Sequence, residues 1–181
     1  MYYIAKFIFF KLLGWKIVGS FPDLNKMVVM VIPHTSWHDF YVGVFVRAIS
    51  RIEINFIGKK ELFKWPFGAY FRWMGGAPID RTPGQDKVKS IANIFKQREV
   101  FRLALAPEGT RKKVDKLKTG FYFIAKEAEV PIVMVAFDYG KKTVKISAPF
   151  YPTDYQEADF KFMESYFVGV VGKIPEYSFT P

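Results

Sequence analysis

The chain has 181 residues, half of them hydrophobic, with a formal net charge of +10 at pH 7, which suits one domain with a substantial core and excludes a disordered polymer. It has no cysteine, so a disulfide framework, a thiol nucleophile and a cysteine-type zinc site are excluded. The positive charge asks for an anionic partner, and because the aromatic-basic strand motifs, zinc spacings and basic helices of nucleic-acid modules are missing, acidic lipid and phosphate stand ahead of nucleic acid.

In chain order, residues 1–18 come first, with Lys6, Lys11 and Lys16 recurring among large apolar side chains. The apolar runs between them fall well short of the ~20 residues needed to cross a bilayer, and a secretory leader's charged start and small-residue cleavage site are lacking. A lysine-edged aromatic helix suits a membrane anchor lying in the interface plane. Amphipathicity serves equally well for a helix packed on the domain's own core. The expected division is therefore an amphipathic, membrane-associating segment over 1–26 and the main domain over 27–181.

Residues 27–32 read as a buried strand, 40–50 as a helix, 54–58 as a strand and 59–64 as a helical turn. Pro66 suits the first turn of a helix reaching Trp73, Gly75-Gly76 ends it, and 77–81 is extended. The periodicity of 85–98 predicts a helix, 100–106 a strand, 119–129 a helix, and 132–137 and 143–148 strands. Strands alternating with helices predict a single-domain α/β sandwich with a mixed, partly parallel sheet flanked by helices, preceded by the amphipathic helix. The last thirty residues have many aromatics but no clear period.

Two loops at predicted strand ends carry the polar chemistry, the place where ligands bind in open α/β sheets. The first is Pro33-His34-Thr35-Ser36-Trp37-His38-Asp39. A neutral imidazole is a serviceable base near neutral pH, and a carboxylate on its second nitrogen fixes the tautomer. A regular helix would leave His34 and Asp39 out of register, so an irregular first turn is required to bring them together. The second loop is Pro107-Glu108-Gly109-Thr110-Arg111. Its glycine lets backbone amides approach a ligand, its threonine offers a hydroxyl, and its arginine offers a planar fork suited to phosphate. Arg81 can supply another fork. Taken singly, each arginine is also explained by a surface ion pair, and Glu108 by an acceptor role that steadies its loop.

His34, four residues and Asp39, with Ser36 and Trp37 between, resemble the signature of the glycerolipid (lysophosphatidate-type) acyltransferase family. Gly76-Ala77-Pro78-Ile79-Asp80-Arg81 resembles its second block, Glu108-Gly109-Thr110-Arg111 its third and Val130-Pro131-Ile132 its fourth. Lys59-Lys60-Glu61-Leu62 is similar to its lysine-glutamate-leucine segment, and the blocks occur in the family's order over about residues 27–136. The resemblance implies that 27–181 is an acyltransferase domain in which His34 is the general base and Asp39 its partner. It places Arg81, Glu108, Gly109, Thr110, Arg111 and Lys60 at the acceptor, above all at its phosphate. The implied reaction passes an acyl group from a thioester, acyl-CoA or acyl carrier protein, to a lysophospholipid hydroxyl, with no metal or other cofactor. The implied setting is peripheral or monotopic at an anionic membrane surface, the cytoplasmic face of the cell membrane.

The chain departs from the family pattern at Pro33, where many members have asparagine, at His38, commonly apolar, and at Met134, often a second proline. These changes touch the acceptor's identity, and a phosphate-free lyso-aminolipid is the alternative. A non-catalytic lipid-binding protein and a phospholipid hydrolase are rival classes. A zinc site of His34, His38 and Asp39 is the metal alternative; the glutamate that follows the first histidine of metalloproteases is replaced here by Thr35. The aromatic stretch 63–73 reads as core, or as a rim that meets lipid or an acyl chain. The basic run Arg111-Lys112-Lys113 reads as a solvated face, or as a guide for an anionic substrate.

Overall fold

A computed structural model describes residues 2–79 and 86–180. Among them, seven strands form one sheet: β1 (Lys16–Val18), β2 (Lys26–Ile32), β3 (Asn55–Lys59), β4 (Gly76–Ile79), β5 (Phe101–Leu105), β6 (Ile132–Asp138) and β7 (Thr143–Ile146). Their order across the sheet is β1-β7-β6-β2-β5-β3-β4. β6, β2, β5, β3 and β4 run parallel, and β7 pairs antiparallel with β6 and parallel with β1. The predicted α/β sandwich with a mixed, partly parallel sheet is observed, and all but the β6–β7 pairing is parallel.

β2 and β6 lie in the middle of the sheet and are buried on both faces, which is why their sequences are unbroken apolar runs. Side chains alternate between the faces. Val28, Met30, Ile32, Ile132 and Met134 point to one core, which they share with Phe95 of α4 (Lys87–Gln97) and Phe121 of α5 (Gly120–Glu127). Met27, Val29, Val133, Val135 and Phe137 point to the other core, with Val42 and Val46 of α2 (His38–Ser50). Asp86 caps α4 by accepting from the Lys89 N–H at 3.2 Å, the expected work of an aspartate just outside a helix start.

The amino-terminal helix is shorter than its sequence suggests. α1 (Tyr2–Lys6) continues in wider turns through Leu12, and Gly14, at φ +69°, turns the chain into β1. Three residues, Lys-Ile-Val, are too few to show a period of two, so β1 was hidden inside a predicted helix. The segment is anchored by Phe9 and Trp15, both buried in the α2 core, each contributing about 2 kcal/mol of apolar transfer. The opposite side of the same helix exposes Tyr3, Ile4, Phe7 and Leu12. Among the described residues no helix is long and apolar enough to cross a membrane.

Two further differences bear on the site. α2 begins at His38 rather than at residue 40, and α3 (Gly68–Trp73) begins two residues after Pro66. The last thirty residues, unassigned from sequence, form α6 (Gln156–Ser165), followed by a strap ending in a short turn at Pro175–Tyr177. Met163, Phe167, Val170 and Phe179 bury this tail in the first core. Asp159 pins it by accepting from the Tyr122 hydroxyl and from the Thr153 N–H and hydroxyl.

Candidate active site

The carboxyl ends of β5, β2 and β6 lie side by side, so the loops 106–111, 33–37 and 139–142 leave the sheet at one edge. Residues 33–37 are irregular and helix begins only at His38. That unwound stretch supplies the bend that a regular helix could not. Asp39 stands in the first turn of α2, and its Oδ2 lies 3.2 Å from His34 Nδ1. The same oxygen accepts from the Ser36 N–H at 2.8 Å, and Oδ1 accepts from the Tyr139 hydroxyl at 2.7 Å.

Asp39 is only 3% exposed, and both of its oxygens are satisfied, as a buried carboxylate requires. Burial, then the bond to Asp39, pushes the Tyr139 phenol well above its usual range, so it remains a donor. With Nδ1 turned to Asp39, Nε2 of the half-buried imidazole is the nitrogen left to take a proton. Tyr139 was not identified from sequence. Its one signal is its place just after β6, where a strand's end meets the ligand edge of the sheet.

Glu108 joins the second loop to the first. Its Oε2 accepts from the backbone N–H of His34 at 2.7 Å, and the side chain is 2% exposed. Burial pushes its pKa up from the ordinary 4.5 to about 7, against the opposing pull of the His34 N–H and ring. In this geometry Glu108 steadies the loop that holds His34. Gly109 follows at φ +65°, a left-handed backbone that favours glycine, and the atoms nearest to a Cβ there belong to the end of the exposed Lys118 side chain, which can swing aside. Thr110 and Arg111 are exposed on this loop, and Thr110 Oγ1 accepts from the Lys112 N–H at 3.3 Å. Arg81 lies outside the described residues, as does the side chain of Lys60.

His38 sits on α2 while His34 precedes it, so the two are not on one helical face. His38 is exposed, its ring lies against Trp37 with centroids 4.0 Å apart, and its Nδ1 is 2.9 Å from Ser36 Oγ. The two imidazoles thus turn their Nδ1 atoms to different partners. Among the described residues no three His, Asp or Glu side chains gather as a metal ion would need.

The carboxy-terminal strap closes the floor behind His34. Thr35 is buried and its Oγ1 accepts from the Ile174 N–H at 3.2 Å, while Tyr139 N–H donates to Val171 O at 2.8 Å. Gly172 comes so near Thr35 that a Cβ would stand 2.8 Å from it. A cleft of about 510 Å³ reaches Tyr139, with His38, Trp15, Tyr41 and Phe45 among its walls and Lys142 and Lys173 beside them. Tyr139 links this recess to the imidazole–carboxylate couple: its hydroxyl donates to Asp39 and its ring lines the recess, whose walls include neither His34 nor Asp39.

The model of the acyltransferase family matches residues 18–138, a span that takes in both the His34 and the Glu108 loops. The fold is similar to that of the 1-acyl-sn-glycerophosphate (LPA) acyltransferase PlsC from Thermotoga maritima, with a TM-score of 0.61 and 24% identity over 91% of this chain and 76% of that one. No curated protein sequence matches the chain.

Proposed function

The chain belongs to the acyltransferase family, and from that premise we propose that it moves a fatty acyl group from a thioester donor to the hydroxyl of a lysophospholipid of the 1-acylglycerol-3-phosphate kind. The observation that carries this reading is the 3.2 Å approach of His34 Nδ1 to Asp39, in a loop that Glu108, Ser36 and Tyr139 hold in place. The structural neighbour of the same fold, an acyltransferase for 1-acyl-sn-glycerophosphate, supports the acceptor class.

An alcohol is a poor nucleophile, and a positioned base contributes ~10²–10⁴-fold to its attack. His34 Nε2 takes the hydroxyl proton as the oxygen forms a bond to the thioester carbonyl carbon. Asp39 stabilises the imidazolium that results. The tetrahedral intermediate collapses by breaking the carbon–sulfur bond, and the proton on Nε2 leaves with the thiolate. Atoms balance with no metal, redox group or covalent enzyme intermediate.

Arg111, exposed one residue beyond Thr110, is proposed to meet the acceptor's phosphate, and Arg81 and Lys60 to join it. The donor is acyl-CoA or acyl carrier protein, and the setting is the surface of a membrane, with residues 1–26 as its contact. The deciding experiment is mass spectrometry of the lipids made by the purified chain from a panel of lyso-acceptors and both thioester carriers. Acylated 1-acylglycerol-3-phosphate supports the proposal. Product from lyso-aminolipids alone assigns the phosphate-free alternative. Free fatty acid without acylated lipid assigns a hydrolase, and absence of any turnover with lipid still bound assigns a binding protein.

A further inference from the structure

We propose that the outer face of the α1–α2–α3 layer is a membrane-insertion surface, in which Trp65, Phe67 and Trp73 enter an anionic bilayer as a second contact beside the amino-terminal helix. This rests on the reading above that the acceptor is a lipid. It extends the contact beyond residues 1–26 and assigns it to side chains more than sixty residues along the chain.

The three helices form one layer on one face of the sheet. Phe40 of α2 packs against Phe71 of α3, with centroids 6.4 Å apart, and Arg47 Nη1 donates to Met74 O at 2.7 Å. On the other flank of α2, Phe45 meets Phe9 at 5.8 Å, and the Arg51 guanidinium lies 3.9 Å over the Tyr2 ring. The inner side of this layer is the α2 core. The layer exposes aromatic side chains: Trp65 is 93% exposed, Phe67 66%, Trp73 65% and Trp37 54%, with Tyr41 against Trp37, Tyr70 against Trp73, and Phe7 exposed on the amino-terminal helix.

Three of the chain's four tryptophans are therefore held out in water on this layer, and the fourth, Trp15, is core. An indole has an apolar body and one polar N–H, which suits the headgroup–acyl boundary better than either phase alone. Exposed Lys64 and Arg72 interleave with the aromatics of this stretch, and Lys6 and Lys11 with those of the amino-terminal helix. Cations set among exposed aromatics are complementary to an anionic headgroup layer. A second copy of a chain carrying +10 would bring like charge against like, so a bilayer is the occupant that this surface fits. Trp37 belongs to the loop that carries His34, so insertion here brings the catalytic edge to lipid still resident in the membrane.

The test is flotation of the full chain with phosphatidylcholine vesicles containing phosphatidylglycerol, comparing wild type with Trp65→Ser/Trp73→Ser. Expected is a partition coefficient lower by at least about tenfold, with unchanged transfer to a short-chain acceptor dissolved as monomers. A second measurement uses Trp37→Phe/Trp73→Phe, which leaves Trp65 as the one exposed indole; brominated phospholipid in the vesicles should quench its fluorescence. Unchanged partition of Trp65→Ser/Trp73→Ser, or no quenching of Trp65, overturns the proposal. Unchanged partition with transfer lost only for long-chain donors would assign these aromatics to an acyl-chain groove and also overturn it. Partition lost in the variant, with no transfer by either protein, supports the surface and sinks the enzymatic reading alone.

Discussion

The Tyr139 hydroxyl and Asp39 Oδ1 are 2.7 Å apart across a hundred residues of chain. The bond ties the end of β6 to the first turn of α2 and leaves the second carboxylate oxygen to Ser36 and His34. Tyr139→Phe deletes the hydroxyl and leaves a buried oxygen short of a partner, a change costing about 1–3 kcal/mol. The expected outcome is a stability loss in that range with kcat down by roughly tenfold and KM within about twofold. Urea unfolding and steady-state kinetics on the purified variant check it. An unchanged kcat would mean that Ser36 alone fixes the aspartate.

His34→Ala is expected to reduce transfer by ~10²–10⁴-fold or more while the far-ultraviolet circular dichroism stays that of wild type. The buried bond at this position is made by the backbone N–H to Glu108, which alanine keeps, and the ring itself is half-buried. Asp39→Asn tests the other member. An amide can still accept from Ser36 and His34 through its oxygen and donate to the Tyr139 oxygen through its nitrogen, so what the substitution removes is the negative charge that stabilises the imidazolium. Its kcat loss should exceed that of Tyr139→Phe. Substantial transfer by folded His34→Ala would reject the general-base mechanism.

Much of the fold was legible because β2 and β6 are apolar on both faces, and a run such as Met27–Ile32 has few other places to go. The His34–Asp39 pair was legible as a pattern of types and spacing, whereas its geometry was not, since the sequence does not say where α2 starts. The bend comes from the unwound residues 33–37. Tyr139, Thr35 and the strap at 171–174 were invisible for a different reason: their roles are long-range contacts made by ordinary residues. β1 went unseen because three residues carry no period, and because the aromatic lysine-edged pattern continued across it. Glu108 was readable both as a brace for its loop and, by the resemblance, as an acceptor contact. Its bond to the His34 N–H is of the first kind, but the sequence could not name the partner 74 residues away.

Glu108 makes stability depend on pH in a defined direction. Its folded pKa of about 7 lies above the ordinary 4.5, so between those values the folded chain holds a proton that the unfolded chain has lost. The group's contribution is therefore fully present below pH 4.5 and declines as pH rises to 7, by about 3 kcal/mol in all. Glu108→Gln keeps an acceptor for the His34 N–H and removes the ionisation. The stability of the variant relative to wild type should rise by a comparable amount between pH 4.5 and pH 8, other groups cancelling in the difference. Urea titrations of both proteins at the two pH values measure it, and a flat difference would place the Glu108 pKa near 4.5 in the folded state.

Arg111 is the residue on which the acceptor's charge is proposed to be read. It is exposed on the loop that Glu108 fastens to His34, and a guanidinium meets phosphate as a two-pronged, charge-assisted donor. A charged hydrogen bond contributes about 1.5–3 kcal/mol, so Arg111→Ala should raise KM for a phosphorylated lyso-acceptor by about tenfold or more. KM for a neutral lyso-acceptor of the same chain length should move by less than about twofold, since no phosphate is lost to it. Arg111→Lys keeps the charge and loses the planar fork, so its KM for the phosphorylated acceptor should fall between the two. Equal increases for both acceptors would show that Arg111 supports the loop rather than the phosphate, and would move the reading of the headgroup to Arg81 or Lys60.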